Sequence, residues 1–266
     1  MKYDELRDYA ENEINDINAK VSLLVYDFTE NKTLLSFHAG DKVVSASTIK
    51  TPILLTALEL VQNGTLKTDQ KVPVPAKEIL DDTQIFDRGI RDYTLEELFT
   101  WMIINSDNTA TNVLIEFLGM DAINAYCRKL GLKSTVLERK MLDWDAIEQG
   151  RNNYTSAEDQ LAVFSCLHHA SVLTPELCGY TLRILKRQRD FGSALRYIAD
   201  ESLTAAHKTG GLNYLNHDAG IFYLPNREYF FGCFVTDAMD DTEENELSKK
   251  LIGRLSKAVY DYYKEG

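Results

Sequence analysis

The chain has 266 residues, of which 44% are hydrophobic and 26% are charged, and its formal net charge at pH 7 is -12. This length and composition suit one large globular domain or two closely packed lobes. The acidic charge argues against nucleic acid and anionic membrane surfaces as partners, because both attract basic proteins.

Targeting and metal-binding signals are absent from the sequence as it stands. No stretch approaches the ~20 apolar residues of a membrane-spanning helix. The start, MKYDELRDYAENEIND, is acidic where a signal peptide is basic and then apolar. We therefore expect a cytoplasmic protein, or an exported one if a leader has been removed. The four cysteines and five histidines show no metal-ligand spacing such as CxxC or HExxH, so we expect neither a metal nor a cofactor.

The predicted elements run in the order helix, two strands, a block of helices, three strands, helix. An amphipathic pattern predicts the first helix over residues 2–18, and the last helix is predicted to begin at about Asp241. Helical signals fill the chain from Ser47 to about Gln188. The runs rich in β-forming residues are 20–28, 32–40, 203–210, 218–225 and 228–237.

This order predicts an α+β fold that forms a single domain over residues 1–266. The early hairpin would pair with the three late strands in one antiparallel five-stranded sheet, flanked by the terminal helices. Residues 1–46 and 190–266 would form this sheet-and-helix lobe, and residues 47–189 an all-helical lobe. A ligand cleft is expected between the two lobes, where pockets commonly form.

The first candidate motif is STIK, Ser47 to Lys50, at the start of a strongly apolar helical run. Pro52 is tolerated only near a helix start, which places Ser47 at the amino end of a largely buried helix. Lys50 lies one turn further on the same face, so its neutral amine could take the proton of the serine hydroxyl. Alternatively, Ser47 is an ordinary helix cap.

Two further motifs could contribute to a site. NSDNTATN, residues 105–112, lies between two helical runs, and Ser106 could relay a proton while the Asn108 amide holds a substrate carbonyl. A helix cap by Asp107 or Asn108 is the alternative. HKTGG, residues 207–211, ends a strand, where glycines allow a ligand to approach the backbone. A lysine beside a glycine bulge would explain this third motif equally well.

Taken together, Ser-x-x-Lys, Ser-Asp-Asn and Lys-Thr-Gly in this order resemble the signature of penicillin-binding proteins and class A β-lactamases. The segment YTLEELFTWMIINSDNTATNVLIEFLG resembles the class A family over its whole length. The resemblance extends over roughly residues 20 to 262. It implies a β-lactamase/transpeptidase-like fold and a monomeric serine hydrolase.

The resemblance assigns the acylation chemistry to three residues. Ser47 becomes the acylated nucleophile, and Lys50 its base or proton relay. Ser106 passes a proton to the leaving nitrogen.

Substrate binding is likewise carried over from the family. Asn108 would contact the substrate's side-chain amide, and Lys208 with Thr209 would bind its carboxylate. Gly210 and Gly211 would let the substrate lie against the strand, with the Gly211 amide joining that of Ser47 in the oxyanion hole.

The sequence departs from the family in one loop, LERKMLDWDAIEQG, residues 137–150. Class A enzymes carry Arg-x-Glu there, and the glutamate activates the water that cleaves the acyl-enzyme. If Arg139 is the family arginine, Met141 occupies the glutamate position and Asp145 that of a nearby asparagine. Methionine cannot take a proton, so deacylation should be slow unless Asp143, Asp145 or Glu148 activates the water.

The sequence therefore predicts an acyl-serine enzyme of the class A β-lactamase type that reacts with β-lactams or related amides and esters. Two alternatives remain open. One is a D,D-peptidase or esterase that acts on a cell-wall peptide or a small ester. The other is a non-catalytic protein that binds β-lactams or peptidoglycan fragments covalently through Ser47.

Overall fold

The structure, a computed structural model, describes residues 1–83, 85–86 and 91–265. Its strands are β1 (Lys20–Asp27), β2 (Lys32–Phe37), β3 (Val43–Val44), β4 (Lys71–Pro73), β5 (Asp92–Thr94), β6 (Tyr154–Thr155), β7 (Thr204–Leu212), β8 (Leu215–Leu224) and β9 (Arg227–Thr236). Its helices are α1 (Tyr3–Asn15), α2 (Lys50–Gln62), α3 (Leu95–Ile104), α4 (Asn108–Leu118), α5 (Met120–Lys129), α6 (Trp144–Glu148), α7 (Ala157–His168), α8 (Pro175–Leu185) and α9 (Glu246–Glu265). Short 3₁₀ turns cover Ala46–Ile49 and Ala76–Glu78.

A five-stranded antiparallel sheet, in the order β2-β1-β9-β8-β7, forms the centre of the molecule. The early hairpin joins the late strands where β1 pairs with β9, from Lys20 opposite Thr236 to Asp27 opposite Tyr229. The predicted α+β fold with one such sheet is confirmed. Strand β7 lies at one edge of this sheet and carries the HKTGG motif.

Each face of the sheet has its own hydrophobic core, because successive side chains of a strand point to opposite faces. Leu23 and Val25 of β1 pack in one cluster with Leu6 of α1 and Leu255 of α9. Leu24, between them, belongs to the second cluster, which is shared with the helical segments. The terminal helices thus cover one face of the sheet, and the helices between residues 50 and 185 lie on the other.

Helix α2 lies deep within the helical segments. All nine residues from Lys50 to Leu58 are buried, so this helix has no solvent-facing side in its first two turns. A helix that is apolar all round is stable only inside a core. The burial of α2 therefore forces Lys50, its first residue, into the protein interior. None of the described helices combines the length and apolar character that a bilayer span requires.

Sequence reasoning missed the short strand pairs β3–β6 and β4–β5, because two or three residues are too few to show a period. The first pair matters for the site, since it joins the segment before Ser47 to the segment after the Met141 loop. The last helix begins at Glu246 rather than at about Asp241. The Asp241 carboxylate accepts hydrogen bonds from the Leu247 and Ser248 amides, so it lies ahead of the helix and satisfies its first turn.

Gly220 should be essential for the packing of β7 against β8. It pairs with His207, and a Cβ at Gly220 would lie 2.4 Å from the Ala206 carbonyl oxygen. We expect Gly220→Ala to lower the free energy of unfolding by about 1–3 kcal/mol, as overpacked cores do. Gly40→Ala is the control, since its Cβ would lie 3.4 Å from its nearest neighbour. Denaturant titration of both variants measures the effect, and equal midpoints would contradict the expectation.

Candidate active site

Ser47 lies in the 3₁₀ turn that leads directly into α2. Amide groups in such a first turn have no acceptor within the helix. Ala46, just before it, has a φ of 43°, a left-handed conformation that is costly for a residue with a Cβ. Strand β7 passes close by, and a Cβ on Gly210 would lie only 3.0 Å from the Ser47 nitrogen. Glycine at position 210 therefore allows the strand to approach the serine turn.

Lys50 connects this turn to the Ser-Asp-Asn motif. Its side chain is 0% exposed. The Nζ atom lies 2.6 Å from the Ser106 carbonyl oxygen, 3.1 Å from Ser106 Oγ and 2.8 Å from Asn108 Oδ1. Three polar contacts compensate for the burial of the amine.

The surroundings of Lys50 favour the neutral form of its amine. Burial and the nearby Lys208 cation hold the pKa of Lys50 well below its usual value, although Asp107 and Asp82 act in the opposite direction. A neutral amine has two N–H groups and one lone pair. In the structure Lys50 Nζ donates to all three oxygens. In its neutral form the amine would keep N–H groups for the Ser106 carbonyl and Asn108 Oδ1, which only accept, and its lone pair would be able to accept a hydroxyl proton.

Lys208 reaches the same hydroxyl from the other side of the site. Its Nζ lies 3.1 Å from Ser106 Oγ and 2.8 Å from the Thr209 carbonyl oxygen. Burial lowers the pKa of Lys208 to about 8, and the carboxylates of Asp190 and Asp218 oppose that shift. Ser106 therefore lies between two buried amines.

The short connection between α3 and α4 presents Ser106 to both amines. Ser106 has a φ of 55°, and its neighbour Asp107 caps α4 by accepting a 2.7 Å hydrogen bond from the Ala110 amide. Asp107 also accepts the Thr83 hydroxyl, and burial raises the pKa of its carboxyl group. The helix cap and the presentation of Ser106 are thus two results of one tight connection.

The structure brings the three motifs together but does not join Ser47 to Lys50. The half-buried Ser47 hydroxyl forms no hydrogen bond with any residue that the structure describes. The Lys50 amine is bonded to Ser106 and Asn108 instead. Thr209 is buried, whereas Gly211 is exposed at the open end of the strand.

The Met141 loop is fixed next to the site through its main chain. Asn112 Oδ1 accepts a 2.7 Å hydrogen bond from the Met141 amide, and its Nδ2 donates to the Met141 carbonyl at 3.1 Å. Asn112 is four residues from Asn108, so both side chains lie on one face of α4. The side chain of Met141 is 7% exposed. The loop residue predicted at the glutamate position is therefore a buried neighbour of this helix face.

A second asparagine ties the same loop to the serine turn. The Asn153 side chain accepts from the Arg139 amide at 3.1 Å and donates to the Arg139 carbonyl at 3.1 Å. Its main-chain oxygen accepts from the Ser45 amide at 2.8 Å. The loop and the turn are thus held by one residue.

The three loop acids predicted as possible water-activating groups are not bonded to Ser47 or Lys50 in the part of the chain that the structure describes. Asp143 caps α6 by accepting from the Ala146 amide at 3.0 Å, whereas Asp145 and Glu148 are exposed. Within the described residues, none of the three acids forms a hydrogen bond or ion pair with Ser47 or Lys50.

Sequence reasoning missed two residues of the site, Asn112 and Asp82. The spacing of four residues between Asn108 and Asn112 could have indicated the first. Asp82 accepts a 2.6 Å hydrogen bond from Asn108 Nδ2, but it comes from a distant segment and carried no sequence signal.

Comparison with known proteins identifies the family. A family model described as "Beta-lactamase enzyme family" matches residues 5–263. The chain belongs to this family. It is 24% identical over 281 residues to β-lactamase VEB-1 of Pseudomonas aeruginosa, covering 98% of this chain and 91% of the relative. It is 25% identical to β-lactamase 3 of Bacillus cereus, covering 94% of this chain and 78% of the relative.

Solved structures agree on the fold of this family member. A β-lactamase from Sphaerobacter thermophilus DSM 20745 has a TM-score of 0.88 at 21% identity and covers 100% of this chain and 99% of its own. PBP-A has a TM-score of 0.88 at 23% identity, covering 98% of this chain and 97% of its own. The L158E mutant of PBP-A, solved as an acyl-enzyme complex with penicillin G, has a TM-score of 0.88 at 24% identity, with coverage of 99% and 97%.

Removing the second amine should change the titration of the first. In Lys208→Met the pKa of Lys50 should rise toward its ordinary value, because a neighbouring cation is removed while the volume of the side chain is nearly kept. Chemical shifts of ¹³C-labelled lysine side chains, followed against pH, measure this change. Lys264→Met, on α9, is the matched control for loss of a lysine. An unchanged pKa of Lys50 would mean that the Lys208 cation does not lower it.

Proposed function

We propose that this protein is an acyl-serine enzyme of the class A β-lactamase type, which forms an acyl-enzyme on Ser47 with β-lactams or related amides and esters. The observation that carries the proposal is the contact of both buried amines, Lys50 and Lys208, with the Ser106 hydroxyl. Such an arrangement can take a proton from one oxygen and deliver it to another group, as general acid–base catalysis requires.

Acylation begins when the Ser47 oxygen attacks the substrate carbonyl carbon and its proton passes to the neutral Lys50 amine. Lys50 must first release one of its present partners, and the approach of a substrate carbonyl to Asn108 provides an occasion for this exchange. The carbonyl oxygen becomes an oxyanion, which the amides of Ser47 and Gly211 would stabilise. The open first turn at Ser47 and the exposed position of Gly211 support this assignment.

The tetrahedral intermediate collapses when the carbon–nitrogen bond breaks. The leaving nitrogen takes the Ser106 hydroxyl proton, and Ser106 regains a proton from Lys50, which becomes neutral again. Lys208 and Thr209 would bind the substrate carboxylate. A charged Lys208 suits that task because a buried cation without a partner is costly, so an incoming carboxylate is strongly favoured.

Deacylation should be the slow step. A positioned general base contributes about 10²–10⁴ in rate, or roughly 3–5 kcal/mol of the barrier. Met141 has no proton acceptor for that role. Asp143 is engaged in a helix cap, and Asp145 and Glu148 are exposed. These positions argue against any of the three acids taking over the role of the family glutamate, which is to activate the deacylating water.

A long-lived acyl-enzyme is therefore the second candidate function, with Ser47 as a covalent trap for β-lactams or peptidoglycan fragments. The buried Met141 favours this candidate over rapid hydrolysis. A D,D-peptidase or esterase would use the same acylation residues, but it would need its own means of deacylation.

Intact-protein mass spectrometry with penicillin G tests the nucleophile. Wild-type protein should gain the full mass of one penicillin G, because ring opening adds the substrate without loss of atoms. Ser47→Ala should gain none, since the substitution removes the oxygen that is proposed to attack the substrate. Ser45→Ala removes the neighbouring hydroxyl and should still form the adduct. A persisting adduct in Ser47→Ala would reject the assignment of Ser47.

The lifetime of the adduct tests the account of the loop. Met141→Glu should shorten it by about 10²-fold, the low end of what a general base contributes. Met141→Gln has the same size but no basic oxygen, and its adduct should decay as slowly as that of wild type. Adduct decay after removal of free penicillin gives both lifetimes. Equal adduct lifetimes in wild type and Met141→Glu would contradict the proposal that deacylation is slow because Met141 provides no general base.

A further inference from the structure

We propose that Asp82 forms a subsite for a cationic group on the acyl side of the substrate. The protein would then prefer substrates with an ammonium group next to the carbonyl that Asn108 binds, over otherwise identical substrates with a neutral or anionic group. This inference rests on the proposed function, and it specifies the class of substrate for the same site.

Two hydrogen bonds fix the segment of Asp82 above the start of α4. The Leu80 amide donates to Thr109 Oγ1 at 2.9 Å, and the Thr83 hydroxyl donates to Asp107 Oδ2 at 2.5 Å. The Thr83 amide also donates to the Leu80 carbonyl at 3.2 Å, which closes a turn. Asp82 lies within this turn, so its carboxylate is held at the site by contacts on both sides.

The Asn108 side chain brings a substrate carbonyl next to Asp82. Its Oδ1 accepts from Lys50 at 2.8 Å, so its Nδ2 points away from Lys50 and donates to Asp82 Oδ2 at 2.6 Å. A primary amide has two N–H groups. One of them is engaged by Asp82, and the other remains for a substrate carbonyl. A substituent one bond from that carbonyl would lie beside the Asp82 carboxylate.

The charge of Asp82 is available to a ligand. Asp82 is exposed and forms no ion pair with any residue of the described ranges. Glu78, from the same segment, is already paired with Lys140 at 3.3 Å and lies 4.0 Å from the Lys77 amine. Asp82 is thus an exposed carboxylate at the site with no ion-pair partner among the described residues, although its charge also acts on the buried Lys50. An ammonium group would be attracted there, and a carboxylate repelled.

Three penicillins that differ only at the α-carbon of the acyl group test this inference. Penicillin G has hydrogen there, ampicillin an ammonium group and carbenicillin a carboxylate. At about pH 6.5, below the ordinary pKa of an α-amino group, wild-type acylation rates should rank ampicillin, penicillin G, carbenicillin. Each step should be about fivefold, the size expected for a partly exposed ion pair.

Substitutions of Asp82 should change this ranking. Asp82→Asn should lower the ampicillin rate relative to penicillin G and raise the carbenicillin rate, each by about fivefold. Asp82→Lys should reverse the order. Asp81→Asn removes the same charge from the adjacent exposed position and should keep the wild-type ranking. Rates are measured as the growth of the adduct mass at equal substrate concentrations.

The outcomes separate the inference from the function on which it depends. If Asp82→Asn changes the acylation rates of all three penicillins by the same factor, Asp82 only orients Asn108, and the proposed subsite is wrong. Equal rates of the three in wild type would overturn it as well. If none of the penicillins forms an adduct, the proposed function itself fails.

Discussion

The site depends on two buried amines that meet at one hydroxyl. Lys50 and Lys208 are both 0% exposed, and each Nζ lies 3.1 Å from Ser106 Oγ. Burial penalises the charge on both amines and lowers both pKa values, and the neighbouring Lys208 cation lowers the pKa of Lys50 further. Lys50 would then act as a base beside the Lys208 cation, which is the combination that the proposed attack on an amide and binding of a carboxylate require.

The fold brings the Lys50 and Lys208 amines to the Ser106 hydroxyl by fixing three segments that are distant in the sequence. Helix α2 is buried on all sides in its first turns, the α3–α4 connection presents Ser106, and Gly210 allows β7 to approach the serine turn. Ala46 and Ser106 both have left-handed backbone conformations, which cost free energy in residues with a Cβ. Backbone strain of this kind persists only where the surrounding structure holds the residue in place, so we infer that packing holds the Ala46 and Ser106 turns.

The residues proposed for acylation and the residue at position 141 are held in different ways. The former belong to a helix and the turn before it, a tight interhelical connection and a strand, whereas residue 141 lies on a loop. Asn112 holds that loop through the main-chain amide and carbonyl of Met141 alone. These two hydrogen bonds use main-chain atoms, so they do not depend on which side chain residue 141 carries. The Met141 side chain itself is buried in the hydrophobic core.

The sequence by itself predicted the five-stranded sheet, the three motifs and a helix cap at Asp107 or Asn108, because strand periods, motif order and capping residues are local signals. It also indicated the unusual residue at position 141. Only the tertiary structure decided that Lys50 bonds to Ser106 and Asn108 rather than to Ser47, and that Asp82 lies against Asn108. These contacts join residues that are 26 to 58 positions apart, and no local pattern encodes a distance between such segments.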